Sequence, residues 1–204
     1  MNEKDLENNK KKRFTPLFIA LKALLVLTVL CGLIYPLTVT IFAQTMFPYE
    51  ANGSQIVVTL EDGTKKIFGS ELIGQNYESP KYMFGRVNLG ATNLSPESDE
   101  YKELVESRVL ERKEKLATIG YNEEEIPAEL VTSSGSGVDP HISVDTAYYQ
   151  IPIILKARQE EDSSLKEQDV KAIIDKYTEG RFLGIFGEKT VNVLLVNLAL
   201  DGLL

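Results

Sequence analysis

The 204-residue chain is 43% hydrophobic and 25% charged, with a formal net charge of −8. That acidic balance makes it a poor partner for nucleic acid, which rewards clustered Lys and Arg. With one cysteine, Cys31, and one histidine, His141, it has no material for a disulfide framework, and no His/Cys metal site is expected.

The N-terminal tail, residues 1–16, is charged and reads as disordered. From Ala23 to Tyr49 the chain then runs for 27 residues without an Asp, Glu, Lys, Arg or His. A bilayer core takes about 20 apolar residues as helix, the form that satisfies every backbone polar group away from water. The expected span is residues 17–42, with Lys22 snorkelling from its start. Gly32 and Pro36 lie inside it, and membrane helices accept such residues where neighbouring helices pack closely. Both are candidate partner-interface residues. Six basic groups lie in the first 22 residues and none follows before Lys65, so the positive-inside rule places the N-terminus in the cytoplasm. Residues 43–204 are then expected outside, at the cell membrane. A cleaved signal peptide ending near Ile41-Phe42-Ala43 is the rival reading, but its apolar region would be about 7 to 15 residues long.

Beyond the anchor, residues 50–204 hold 16 basic and 27 acidic groups, a net charge of −11. The expected fold is one mostly helical α+β domain with a small hairpin, large enough to bury its own core. Gln55–Leu60 and Lys65–Phe68 flank the turn signal Asp62-Gly63. Gly, Asn, Pro and Ser then punctuate residues 69–96, predicting long ordered loops. Phe84 and Arg86 in this stretch are either core and loop residues or a docking pair, with Arg86 available to a carboxylate. Ser95-Pro96-Glu97 predicts a helix start and Gly120 its end, with Tyr101, Leu104, Val105 and Arg108 on one face and a Glu111–Lys115 pair on another. Ser143 predicts the cap of a second helix, interrupted by Pro152 near Gln150. Ser164–Glu167 reads as a capping box before a third helix carrying Val170, Ile173, Ile174 and Tyr177. Val191–Leu200 is too short to cross a bilayer and reads as buried core, with Asn192 as cap and Asp201-Gly202 as stop.

Thr132, Ser133, Ser134, Ser136, Asp139 and His141 crowd around Gly135 and Gly137. A catalytic triad needs a nucleophile on a strained turn and partners that converge in space, and no G-x-S-x-G is present. No Walker Lys-Ser/Thr follows the glycines either. The run is therefore read as a Gly/Ser loop whose hydroxyls bind nearby backbone, with Asp139-Pro140-His141 fixing a turn and His141 structural. No catalytic or metal-binding residue is assigned.

Tyr35-Pro36, Ala51–Ser54, Gly69–Gln75, Phe84-Gly85-Arg86, Asn93–Pro96, Leu130–Thr132, Gly137–Ser143, Arg181–Gly184 and Val191–Leu200 occur in this order behind one anchor. Together they resemble the C subunit of the bacterial Kdp potassium-transporting P-type ATPase. Tyr177, where the family has His before Thr-Glu, and Ser133–Ser136, in place of an Ala-rich run, depart from its pattern. The resemblance implies a non-catalytic accessory subunit of a high-affinity potassium uptake pump. It implies as partners a channel-like potassium subunit, an ATP-hydrolysing P-type subunit and a small membrane subunit, besides the bilayer. It implies no intrinsic cofactor, and a part in raising ATP affinity through the complex. That last role conflicts with an extracytoplasmic domain, because ATP is cytoplasmic. A membrane-tethered sensor or solute-binding domain is the alternative, and a tethered hydrolase using Ser136 and His141 a third.

Overall fold

A computed structural model describes residues 3–122, 125–159 and 163–204, and divides the chain into two units that meet after Gly53. The first unit is almost wholly helical: α1 (Glu3–Val29), a π-helical turn (Leu30–Ile34), α2 (Tyr35–Met46) and the short α3 (Pro48–Ala51). Its 31-residue apolar part, Pro16–Met46, contains no buried residue. At 1.5 Å per residue it is about 46 Å long, more than a hydrocarbon core of roughly 30 Å requires. The π turn has a local cause in Pro36, which has no N–H to donate and a ring that crowds the preceding turn. Tyr35 N–H accordingly reaches back five residues to the Leu30 carbonyl.

In the second unit, β1 (Gln55–Thr59) and β2 (Lys65–Ser70) form the expected antiparallel hairpin. Gly63 takes φ +80° at the turn, and Asp62 Oδ1 accepts from Thr64 N–H at 2.9 Å and from its hydroxyl at 2.6 Å. The loops through residues 71–97 contain no helix or strand. The next helix, α4 (Asp99–Ala117), starts later than Ser95-Pro96 suggests, because Ser98 is the residue whose hydroxyl accepts from Tyr101 N–H. Ser95 instead builds the turn before it, its carbonyl accepting from the Ser98 hydroxyl. Gly120 closes the region at φ +67°.

A 3-10 turn (Ala128–Leu130) leads to β3 (His141–Ser143), which pairs with β5 (Thr190–Asn192), itself paired with β4 (Thr178–Glu179). Ser143 caps α5 (Val144–Tyr149), and Pro152 falls in the first turn of α6 (Ile151–Arg158), where its missing N–H costs least. At α7 (Glu167–Lys176) the capping interaction sits two residues beyond the expected box. Asp169 Oδ2 accepts from Lys166 N–H at 2.9 Å, whereas a lysine side chain has nothing to accept with. Asn192 caps α8 (Val193–Leu200) by accepting from Leu194 and Leu195 N–H. The α+β class holds. One core cluster joins Ile142, Ala147, Ile154, Val170, Ile174 and Val196, and a second gathers Phe84, Leu116, Leu130 and Ile153.

Candidate functional site

The loop at residues 82–90 is irregular backbone that enters the interior at Met83 and Phe84, so their polar groups need partners. Two buried amides supply them in the manner of a neighbouring strand. Asn197 Oδ1 accepts from Met83 N–H at 2.7 Å and its Nδ2 donates to Met83 O at 2.9 Å. Gln150 does the same for Phe84, at 2.8 and 3.0 Å. Phe84 is only 1% exposed and lies under the Arg112 guanidinium, 3.9 Å from its ring centroid. The docking role for Phe84 is thereby corrected: the two amides pin its backbone inward, and the ring belongs to the core.

Arg86 finds its carboxylate within the chain. Its Nη2 donates to Glu129 Oε1 at 2.6 Å and its Nε to His141 O at 3.3 Å. Glu129 Oε2 in turn accepts from Ser143 N–H and the Ser143 hydroxyl, both at 2.9 Å. Burial pushes the Glu129 carboxyl upward, but the Ser143 and Thr146 groups and the Arg86 cation outweigh it and hold it below the usual carboxylate range. One acidic side chain thus locks the 3-10 turn, the start of α5 and the 82–90 loop together.

The serine-rich loop is architectural in its contacts. Ser134 Oγ accepts from Gly137 N–H at 2.9 Å and Asp139 N–H at 3.3 Å, and Ser136 Oγ from Val138 N–H at 3.3 Å. Asp139 Oδ1 accepts from His141 N–H at 3.0 Å and lies 3.2 Å from Nδ1 of its ring. His141 Nε2 is buried without a hydrogen bond, 3.6 Å from Glu179 Oε1. Gly137, at φ +72°, is jammed against the neighbouring loop: a Cβ there would sit 2.1 Å from the Gly90 carbonyl carbon.

Of the membrane-segment candidates, Gly32 has open space around its absent Cβ, with only Thr28 Cγ2 at 4.0 Å. Pro36 opens α2 after the π turn. A further feature, overlapping the Arg181–Gly184 stretch, is given no role by the sequence. Phe182 and Phe186 pair across a tight loop, Phe182 N–H donating to Phe186 O at 2.8 Å, with Leu183 and Gly184 both at positive φ. Phe182, Leu183, Ile185 and Phe186 are 61 to 74% exposed. Four large apolar side chains between Gly180 and Gly187 are the signal that would have marked this knob.

The family described as K+-transporting ATPase, c chain (KdpC) matches residues 17–202. The chain belongs to the KdpC family. The Potassium-transporting ATPase KdpC subunit of Clostridium perfringens is 51% identical over 201 residues, covering 89% of this chain and 94% of that protein. That of Listeria monocytogenes is 45% identical over 195 residues, covering 94% and 98%. That of Clostridium botulinum is 44% identical over 202 residues, covering 91% and 94%. A KdpC chain is an accessory chain of a multi-subunit potassium-transporting ATPase, not its catalytic one. One N-terminal helix of spanning length and apolarity fits a KdpC chain to a membrane location.

Proposed function

We propose that this chain is an assembly subunit of the pump, using its anchor and the Phe182–Phe186 knob to dock on the channel-like, ATP-hydrolysing and small membrane subunits. Gly32 gives a neighbouring helix a close approach, and Pro36 leaves a carbonyl short of one backbone donor. The basic tail lies in the cytoplasm and the folded domain on the opposite side of the membrane. The observation that carries this reading is the knob, whose four large side chains stay exposed together within one five-residue stretch, a denser grouping than the domain's other exposed bulky residues, such as Leu72, Leu89 and Leu110. Any effect on the ATP affinity of the catalytic subunit is then exerted through the assembled complex, because the sequence carries no Walker nucleotide-binding pattern.

The test is co-purification from native membranes in mild detergent. Replacing Phe182 and Phe186 together by Ser should reduce recovery of the large subunits with this chain, while its own membrane insertion and melting are unchanged. Full recovery of the complex with that double variant would overturn the knob's role.

A further inference from the structure

Beside the Arg86–Glu129 node, the second unit has a partly open cavity of about 170 Å³ whose lining includes Arg86, Arg108, Arg112, Lys115, Glu78 and Glu111. Four cations around one small space are unexpected in a region whose net charge is −11. The carboxylates there are already engaged. Lys115 Nζ donates to Glu111 Oε1 at 2.7 Å and also to Glu78, and Arg86 is held by Glu129. Arg108 and Arg112 have no carboxylate within ion-pair distance among the described residues.

Both arginines are nonetheless held in place. They are i,i+4 neighbours on α4, and each donates one bond to the backbone across from it, Arg108 Nη1 to Val131 O at 3.3 Å and Arg112 Nη2 to Leu130 O at 3.2 Å. The Phe84 ring takes one face of the Arg112 guanidinium. A guanidinium has five donors, and these contacts use few of them. Arg112 Nη1 in particular is buried with no acceptor at all. Burial lowers the Arg112 pKa, an effect that Glu111 and Glu78 only partly offset. Packing against Phe84 accounts for where the guanidinium lies, but not for a desolvated donor left empty beside a cavity.

We infer that this cavity is a binding site for one compact oxyanion of the phosphate class, held by the free donors of Arg108 and Arg112. A carboxylate is satisfied by a single bidentate arginine, whereas two guanidiniums one helical turn apart match the three acceptor oxygens of a phosphate. The volume fits one small group, since pockets for drug-sized molecules hold about 300 to 1,000 Å³. The same phosphate chemistry is offered by inorganic phosphate and by the headgroup of phosphatidic acid.

The experiment uses the full-length chain in a nonionic, phosphate-free detergent, with radiolabelled orthophosphate in equilibrium dialysis and ionic strength held constant with chloride. Saturable binding near one phosphate per chain is expected, together with a rise in Tm that chloride does not reproduce. Arg108→Gln should weaken binding by about tenfold or more, the equivalent of one charge-assisted hydrogen bond. Arg112→Gln should do the same, and Arg108→Gln carries the test if loss of the Phe84 contact unfolds the other variant. A parallel arm uses short-chain phosphatidic acid: saturation by orthophosphate assigns the site to the free ion, and saturation by phosphatidic acid alone assigns it to a lipid headgroup. No saturable binding of either, affinities unchanged in both variants, or saturation by acetate alone, as for a partner's carboxylate, would overturn the inference.

Discussion

Glu129 is where a single residue carries the most structural consequence. Its two oxygens serve Arg86 on one side and Ser143 on the other, so the carboxylate is stabilised in the folded state more than in the unfolded chain. Its depressed pKa means that the folded protein binds fewer protons than the unfolded one as pH falls, and stability declines with it. The contribution is therefore present above the ordinary carboxylate value and lost as pH drops through the lower folded-state value. Glu129→Gln should cost about 1.5 to 3 kcal/mol near neutral pH, the range for a hydrogen bond to a charged group. The gap from wild type should narrow between neutral pH and an acidic pH below that lowered folded-state value, where the Glu129 carboxyl takes up its proton and becomes neutral like Gln. Urea unfolding at the two pH values checks this, and a gap of constant size would show that the charge is irrelevant. The sequence identified Arg86 as a cation wanting a carboxylate, yet its partner lies 43 residues away. Pairing at that separation is a property of the fold, which is why Glu129 attracted no notice in the sequence.

At the scale of elements, what was legible followed from local chemistry. The Asp62-Gly63 hairpin, the Ser143 and Asn192 caps, the Gly120 stop and the Pro152 break all depend on bonds within a few residues. The start of α4 was misjudged because Ser95 and Ser98 both precede acidic residues and only geometry chooses between them. The loops expected at 69–96 run from 71 to 97, since Gly69 and Ser70 complete β2, and the buried Asn197 and Gln150 that line the backbone at Met83 and Phe84 were not legible. Asn197 lies on α8 and Gln150 at the junction of α5 and α6, each among mainly apolar and aromatic neighbours in sequence. The serine loop shows how two such segments are joined: Gly90 N–H donates to Gly137 O at 3.3 Å, and Gly74 N–H to Val138 O at 2.8 Å. Gly137→Ala should therefore cost about 1 to 3 kcal/mol, combining a positive φ with overpacking against backbone that has nowhere to move. Gly135→Ala, with open space and no positive φ, is the control and should be near neutral. Thermal melts of the two variants compare the positions directly, and equal losses would show that the close approach at Gly137 does not matter.

For the whole molecule, the decisive quantity is which side of the membrane each unit occupies. The tail brings Lys10, Lys11, Lys12 and Arg13 close to the start of the apolar helix, while no Lys or Arg follows it until Lys65. Retaining that basic cluster on the cytoplasmic side leaves the domain, at net charge −11, on the other. Family membership alone does not fix this orientation, and a direct role at a cytoplasmic nucleotide would require the reverse. Protease added to intact spheroplasts should remove the domain after residue 54 while an N-terminal epitope tag stays protected by the bilayer. The long loop at residues 71–97 offers cleavable backbone, and solubilised protein cut at the same sites provides the control for intrinsic resistance. If the domain survives in intact spheroplasts but is cut once they are permeabilised, the orientation is reversed. Direct contact with the ATP-hydrolysing subunit's cytoplasmic face would then become possible.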